Sequence, residues 1–303
     1  SDTCYLRKGV YRETLRPAHS GKPKAPITFC AYKGEHAIIS GADLISGWRA
    51  GKNGEYSTSV SWDLKDQNQL FADGKILTEA RWPDIGGTVM KPVRARAQSG
   101  SLTTLTDKNL TGPDDAWKGA MLWCAGGSEW ICWAVPVTGY NAKTHTLTFD
   151  TKQKSRWYIP RKGNPYVLIG SRRALDSDGE WLLDASKKLH LRPPGKKAPN
   201  TLKIEMKRRL DAIDLSGRSH IRIIGLRFRA AGVRTDTASS DIVLQGLRGV
   251  WVAHSYKWDI TGKSGVLIHG RRIAVRNCEL AFSSGSVLDV RGSDNTITNC
   301  YIH

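Results

Sequence analysis

The 303-residue sequence predicts an all-β fold: a right-handed parallel β-helix, or solenoid, interrupted by a β-sandwich-like insertion. Three observations predict it. The C-terminal part of the chain repeats itself around single glycines, Gly217, Gly246, Gly270 and Gly292, at spacings in the twenties. Short alternating apolar runs flank each glycine and none has helical spacing, which is the signature of a solenoid whose turns are built from strands. Between Trp48 and about Lys207 the repeat is lost and hairpin signals take its place.

The glycine anchor defines columns. Two and four residues before it stand Leu215, Leu244, Ile268, Val290 and Ile213, Ile242, Val266, Leu288, all aliphatic and therefore expected to stack inward. The residues between them face out, because strand side chains alternate with a period of two. A second run follows each glycine, with Ile221 and Ile223, Val250 and Val252, Ile273 and Val275, then Asn295 and Ile297. Two of these runs close on Asn277-Cys278 and Asn299-Cys300, where stacked asparagines can hydrogen-bond from coil to coil and satisfy backbone groups at a tight bend.

The N-terminal runs Thr3–Arg12, Ile27–Tyr32 and Ala37–Gly41 are short, β-rich and separated by Gly, Pro and Lys clusters, as expected of opening coils. The middle carries hairpin signals at Ala72-Asp-Gly-Lys75 and Asp178-Gly179, and its last hairpin, Glu180–Arg192, stops at Pro193-Pro194-Gly195. The expected organisation is therefore residues 1–47 as the first coils, 48–207 as the inserted β-rich domain and 208–303 as the continuation of the solenoid. The chain opens on Ser1-Asp2 and ends at His303 in mid-coil. Solenoids close with an atypical capping element, so the expectation is a fragment of a longer protein. No run approaches the length of a membrane span.

Lysine and arginine number 46 against 28 aspartate and glutamate, a net charge of +18. Such a surface favours anionic partners. No helix-turn-helix, zinc-finger or RNA-binding aromatic pattern accompanies it, so nucleic acid is not an expected partner, and a solvated basic surface is the simpler reading. The six cysteines, at 4, 30, 124, 132, 278 and 300, show no metal-binding spacing. Cys278 and Cys300 read as small stacked core residues, near enough for a disulfide in an oxidising compartment.

Several segments carry a resemblance: the opening DTCYLRKGVYRETLRPAHSG, the PITFCAYKG and HAIISGAD runs, LTEARWPD, DGEWLLDASKKLHLRPPG and RLDAIDLSGRSHIRIIGLRF. They resemble carbohydrate-active parallel β-helix proteins whose solenoid is interrupted by a β-sandwich, as in the family 120 β-xylosidases and family 141 glycoside hydrolases. The resemblance spans nearly the whole chain and speaks to architecture more than to reaction. It implies a glycan substrate, an acidic pair on the exposed face of coils after the insertion or beyond His303, and a secreted or periplasmic monomer.

Within the visible coils, the outward columns hold Ser216, Gln245, His269 and Arg291, and beside them Asp214, Val243, Leu267 and Asp289. Adjacent coils lie about 4.8 Å apart. Asp289, Arg291 and His269 therefore form the acid, cation and base cluster that this register yields, and its bland alternative is a surface salt bridge. A carboxylate beside a guanidinium suits a nucleophile or charge stabiliser, which leaves the proton donor to Glu279 or to a residue past His303, with Asp259 in a neighbouring turn a further catalytic candidate. Arg234 and Asp236, in the loop that lengthens the first repeat, are the expected wall of a substrate groove, and His303 joins them as a binding residue. Trp117, Trp123, Trp130, Trp133 and Trp157 offer sugar-stacking faces, although most are expected in the core of the insertion.

Three functions fit. A glycoside hydrolase would work with two carboxyl groups and no cofactor. A polysaccharide lyase would neutralise a uronate with Lys or Arg, often with calcium, and the net charge favours an acidic polymer. A non-catalytic carbohydrate-binding or surface module would use the same solenoid with no acid pair.

Overall fold

The computed structural model of the chain describes residues 1–150, 155–256 and 264–303. It is all-β, and its flanking segments form a curled parallel sheet in three stacks of strands. The first stack sets Asp211–Asp214, Gly232–Arg234, the start of Val266–Arg276 and Leu288–Ser293 side by side. The second runs through Thr3–Leu6, Ile27–Ala31, Ile221–Ile224, Ser240–Gln245, the end of Val266–Arg276 and Thr296–Thr298. The third holds Gly9–Tyr11, Ala37–Ser40, Arg227–Arg229, Arg248–Ala253, Glu279–Ser283 and Tyr301–Ile302. Every pairing is parallel. Val266–Arg276 runs unbroken from the first stack into the second and joins them into one sheet.

Strand alternation drives the apolar residues of all three stacks into one interior. Ile213, Leu215, Ile221, Ile223, Ile242, Leu244, Val266, Ile268, Ile273 and Val275 are each at most 1% exposed and pack in a single cluster. Burying each is worth about 1.5–3 kcal/mol, so this column outweighs any surface contact in holding the coils together. Cys278 belongs to the same cluster, with Cys300 packed against it, and both thiols are free. Asn299 Nδ2 donates to Asn277 Oδ1 at 2.6 Å, the ladder bond expected of these asparagines. Asn295 accepts from the Ile273 amide and donates to the Gly270 and Arg291 carbonyls, which explains a polar residue in an otherwise aliphatic register.

One register differs from the sequence expectation. Gly246 does not stack with Gly270 and Gly292. Its neighbours are Gly225 and Asn277, because Ile224 pairs with Gln245 and Gln245 with Arg276. Ser240–Gln245 therefore belongs to the second stack, and the first-stack strand of that coil is Gly232–Arg234. The reason is that glycine serves two corners. Gly217, Gly225 and Gly246 all sit at positive φ, at different bends of the coil, so the residue type alone does not identify the bend. Correcting the register moves Arg234 out of the predicted loop into the outward column, between Asp214 and Leu267. The longer excursion of that coil follows Arg248–Ala253 instead.

The chain leaves the three parallel stacks after Ala37–Ser40, and among the described residues of the middle segment the pairing is antiparallel except between Thr78–Glu79 and Glu180–Leu183. Ala42–Leu44 already pairs antiparallel with Ile204–Lys207, which in turn pairs with Leu70–Ala72. The expected hairpin at Ala72-Asp-Gly-Lys75 is present, with Asp73 and Gly74 both at positive φ. Glu180–Leu183 and Lys188–Leu191 form the second expected hairpin, flanked by Tyr56–Ser59 and Thr78–Glu79. An eight-stranded sheet between Arg81 and Ile169 encloses a second core around Leu105, Leu122, Phe149, Tyr166 and Leu168. No helix among the described residues is long and apolar enough to cross a membrane.

A Cβ at Gly232 would lie 1.7 Å from the Gly265 carbonyl oxygen, whereas one at Gly217 would meet nothing within 4 Å and carries only the strain of its φ of +65°. Gly217→Ala is expected to destabilise by about 1–2 kcal/mol. Gly232→Ala should destabilise by clearly more, since backbone must separate. Urea unfolding of the two variants checks this, and equal losses would contradict the close approach of those coils.

Candidate active site

The predicted cluster forms, and it is paired. Arg291 donates to both Asp289 carboxylate oxygens at 3.2 and 3.0 Å, and His269 Nε2 lies 3.8 Å from Asp289 Oδ1. Along the same outward strip Arg16 pairs with Asp214 at 2.7 Å and Arg234 with Asp211 at 3.0 Å. Asp236 accepts from the amides of Gly217 and Ala238 and from Ser239 Oγ; these bonds outweigh the opposing effect of partial burial and hold its carboxyl below the usual range. These bonds make it a turn-forming residue. Glu279 stands on the third stack, paired with Arg248 at 3.5 Å, so it belongs to a different sheet from Asp289. His303 stacks on Tyr301 with ring centroids 4.2 Å apart, also on the third stack. Asp259 lies outside the described residues.

The structure gathers a different set of groups at the corner that follows the third stack. There a cavity of about 360 Å³ opens between the coils and the antiparallel sheets, lined among others by Trp251, Phe282, Trp123, Trp181, Gln69, Glu79 and His254. Trp251 and Phe282 occupy equivalent positions in successive coils and stack with centroids 4.4 Å apart. Both are at positive φ, +56° and +63°. Bulky residues are uncommon in the left-handed region, and each such placement costs on the order of 1 kcal/mol. Ala230 holds the same position one coil earlier, and glycine or asparagine serves the neighbouring corner. The strain is thus accepted where it directs two aromatic rings to the cavity.

Glu79 comes from the two-residue strand Thr78–Glu79, within the Leu77-Thr-Glu-Ala-Arg-Trp-Pro83 segment. Its carboxyl makes no hydrogen bond among the described residues. Burial, reinforced by the charges of Asp63 and Asp66, pushes it up to about 8. It retains some accessible surface, but that surface opens onto the cavity rather than bulk solvent, so the desolvation is real. Ser255 Oγ donates to Asp66 Oδ2 at 2.5 Å. Burial and the nearby Lys207 ammonium lower His254 to about 4, and Lys207, itself 1% exposed, is lowered by burial to about 8. A neutral carboxyl beside carboxylates, with a neutral imidazole opposite, is the kind of divergence that separates proton-donating from charge-bearing roles.

Of the tryptophans singled out in the sequence, Trp117 and Trp133 are core residues, and Trp130 and Trp157 stack on each other at the outer surface. Trp123 reaches the cavity, with Arg94 5.1 Å above its ring. Asp84, Asp176 and Glu180 place carboxylate oxygens within 4.8 Å of one another. Glu180 already accepts from the Asp176 and Ser177 amides, and Ser177 Oγ donates to Asp84. Burial raises Glu180 to about 7 in spite of those amides, which describes a proton-sharing turn and assigns no cation.

With this geometry in view, comparison with known proteins gives a consistent fold. One solved structure, a glycoside hydrolase, matches 99% of the chain at a TM-score of 0.74 and 17% identity, and the chain covers 65% of it. A second, XylC in complex with xylose, matches 99% of the chain at a TM-score of 0.54 and 12% identity, with 48% of that structure covered. The chain has a glycoside-hydrolase-like fold. An uncharacterized protein of Bacillus subtilis (strain 168), YwoF, is 35% identical over 72 residues, 24% of this chain and 14% of that protein. No family model matches the chain. The chain thus spans about two thirds or less of each of these relatives.

Glu79 holds its proton more tightly folded than unfolded, so its contribution to stability is complete below about pH 4.5 and is lost as pH rises to about 8. Glu79→Gln, which cannot ionise, should therefore gain stability relative to the parent as pH rises through that window. Melting temperatures of both proteins at pH 5 and pH 8 check the sign. A difference that does not grow with pH would mean that Glu79 titrates as an ordinary exposed glutamate.

Proposed function

We propose that the protein is a glycoside hydrolase and that its curled parallel sheet is a right-handed parallel β-helix, with 1–47 and 208–303 as coils and 48–207 as a lateral β-domain. The observation that carries the reading is the cavity at the junction, where strained Trp251 and Phe282 offer an aromatic surface to a sugar ring and Glu79 faces it as an uncharged acid. An aromatic face covers the apolar face of a pyranose, and the carboxyl groups supply the polar contacts. The likeness in fold to XylC solved with xylose supports a glycan built from neutral sugars. The reaction would use two carboxyl groups, at about 5–5.5 Å for retention or 6.5–9.5 Å for inversion, and needs no cofactor. Asp289, paired with Arg291, is the proposed ionised carboxylate of the outward strip. A glycan substrate fits a secreted or periplasmic address.

Arg94, exposed over Trp123 at the cavity wall, favours a second reading, elimination on an acidic polymer, in which calcium would take part. Product analysis separates the two. New reducing ends without ultraviolet absorbance indicate hydrolysis, unsaturated uronates indicate elimination, and binding without turnover indicates a carbohydrate-binding module.

Asp289→Asn should lower turnover by orders of magnitude on a substrate the parent cleaves, while leaving stability within the ~0–1 kcal/mol of a surface ion pair. Near-parental turnover would return Asp289 to a surface pair and leave the hydrolytic carboxyls to be sought around the cavity.

A further inference from the structure

We propose that Glu79 is a specificity-determining residue of this cavity, presenting a protonated carboxyl that donates a hydrogen bond to a hydroxyl of an uncharged glycosyl unit and accepts one in return. The inference rests on the reading of the cavity as a glycan subsite.

Two independent features point to a polyhydroxylated occupant. Glu79 lines the cavity and has no hydrogen-bond partner among the described residues. Gln69, 3% exposed and lining the same cavity, has its side-chain carbonyl Oε1 buried with no partner. Buried polar groups left unmade in a folded protein call for an explanation, and a ligand with adjacent hydroxyls supplies it. One hydroxyl can donate to Gln69 Oε1, while another accepts from Glu79 and donates back. Arg81 Nε, on the opposite side of the cavity, is likewise buried with no partner among the described residues, whereas several other polar groups of the wall are engaged. Asn68 bonds Asp63 and the Leu64 amide, Ser284 accepts from the Ser255 amide, and Ser283 bonds within its own turn.

The charges around Glu79 set its state. Asp63 and Asp66 face it from the segment before Leu70–Ala72, and Tyr256 and His254 from the segment after Arg248–Ala253. Lys207 approaches His254 from Ile204–Lys207, and Arg81 and Arg94 stand on the antiparallel side of the cavity. The two aspartates and burial keep the Glu79 proton in place at neutral pH, and Asp63 and Asp66 oppose entry of a ligand carboxylate on that side. Above about pH 8 the donor is lost and a third negative charge joins the wall, so a hydroxyl that accepted from Glu79 loses its partner.

The test is calorimetric titration of the protein with D-xylose and with D-glucuronate between pH 6 and pH 9.5, beside Glu79→Gln and Glu79→Ala. Expected are xylose affinity that is level to about pH 7 and falls toward tenfold per pH unit above 8, preference for xylose over glucuronate, a flattened profile in Glu79→Gln, and a loss of about threefold to tenfold in Glu79→Ala at pH 6. Xylose binding that ignores both pH and the alanine substitution overturns the role of Glu79 and leaves the glycan reading standing. Stronger binding of glucuronate overturns the role as well. Binding of neither sugar overturns the subsite reading together with this one. Should the variants fail to fold, the carbon-13 carboxyl resonance of Glu79 in the parent decides. Titration near 8 that moves upward with xylose supports the proposal, and titration near the ordinary glutamate value overturns it.

Discussion

Each coil of the parallel stacks depends on backbone held in the left-handed region at its corners. Three columns of such residues run along the structure: His220, Asp241, Arg272 and Asp294; Gly225, Gly246, Asn277 and Asn299; and Ala230, Trp251 and Phe282. A sharp bend between consecutive parallel strands leaves no room for a gradual turn, and a single left-handed residue makes it. The price in strain is small at glycine and asparagine and larger elsewhere. Side chains then take up the repair. Arg272 clamps Asp241 with two bonds of 2.7 and 2.8 Å, drawing that carboxyl down to about 2, and Asn299 bonds Asn277 directly. Only the third column carries large aromatics, and it is the one that borders the cavity.

The same constraint explains what could be read from the sequence and what could not. Period, alternation and turn residues are local, so the all-β class, the parallel pairing of the flanking strands, the Asn277–Asn299 ladder and the hairpin at Asp73-Gly74 were legible. The adjacency of Asp289, Arg291 and His269 was legible too, because Gly270 and Gly292 do stack. Register failed at Gly246, where a glycine of the second corner resembles one of the first. The third stack was missed for a related reason. Its strands Arg227–Arg229 and Tyr301–Ile302 are short and rich in polar or aromatic residues, so they carry little aliphatic alternation to detect.

The cavity was not legible because no segment contains it. Glu79 owes its high affinity for a proton to Asp63 and Asp66 from one segment and to burial by several others, and nothing in Leu77-Thr-Glu-Ala-Arg announces that environment. The motif was recognisable as a recurrent landmark while its carboxyl remained anonymous. Charge composition does not reveal which charges are paired. Four arginines are engaged near the junction of the two sheet systems, where Arg12 and Arg229 both donate to Glu205, a carboxylate with no exposed surface, and Arg208 and Arg209 both donate to Asp43.

That junction ties the site to the fold. Glu205 lies on Ile204–Lys207, the strand between Ala42–Leu44 and Leu70–Ala72 in the antiparallel sheet, while Arg12 follows the strand Gly9–Tyr11 and Arg229 ends a strand of the third stack. A fully buried carboxylate held by two guanidinium groups fixes geometry more than it adds stability, since removing either partner would strand a charge. Two residues along the same strand, Lys207 is near enough to lower the proton affinity of His254, and one residue beyond Arg229, Ala230 begins the column that continues through Trp251 and Phe282. The ion pairs therefore hold the aromatic corner and the Glu79 wall at a set separation. A cavity whose two walls come from different sheet systems can keep a constant width only if those systems are locked together, and the Glu205 clamp sits where such a lock is needed.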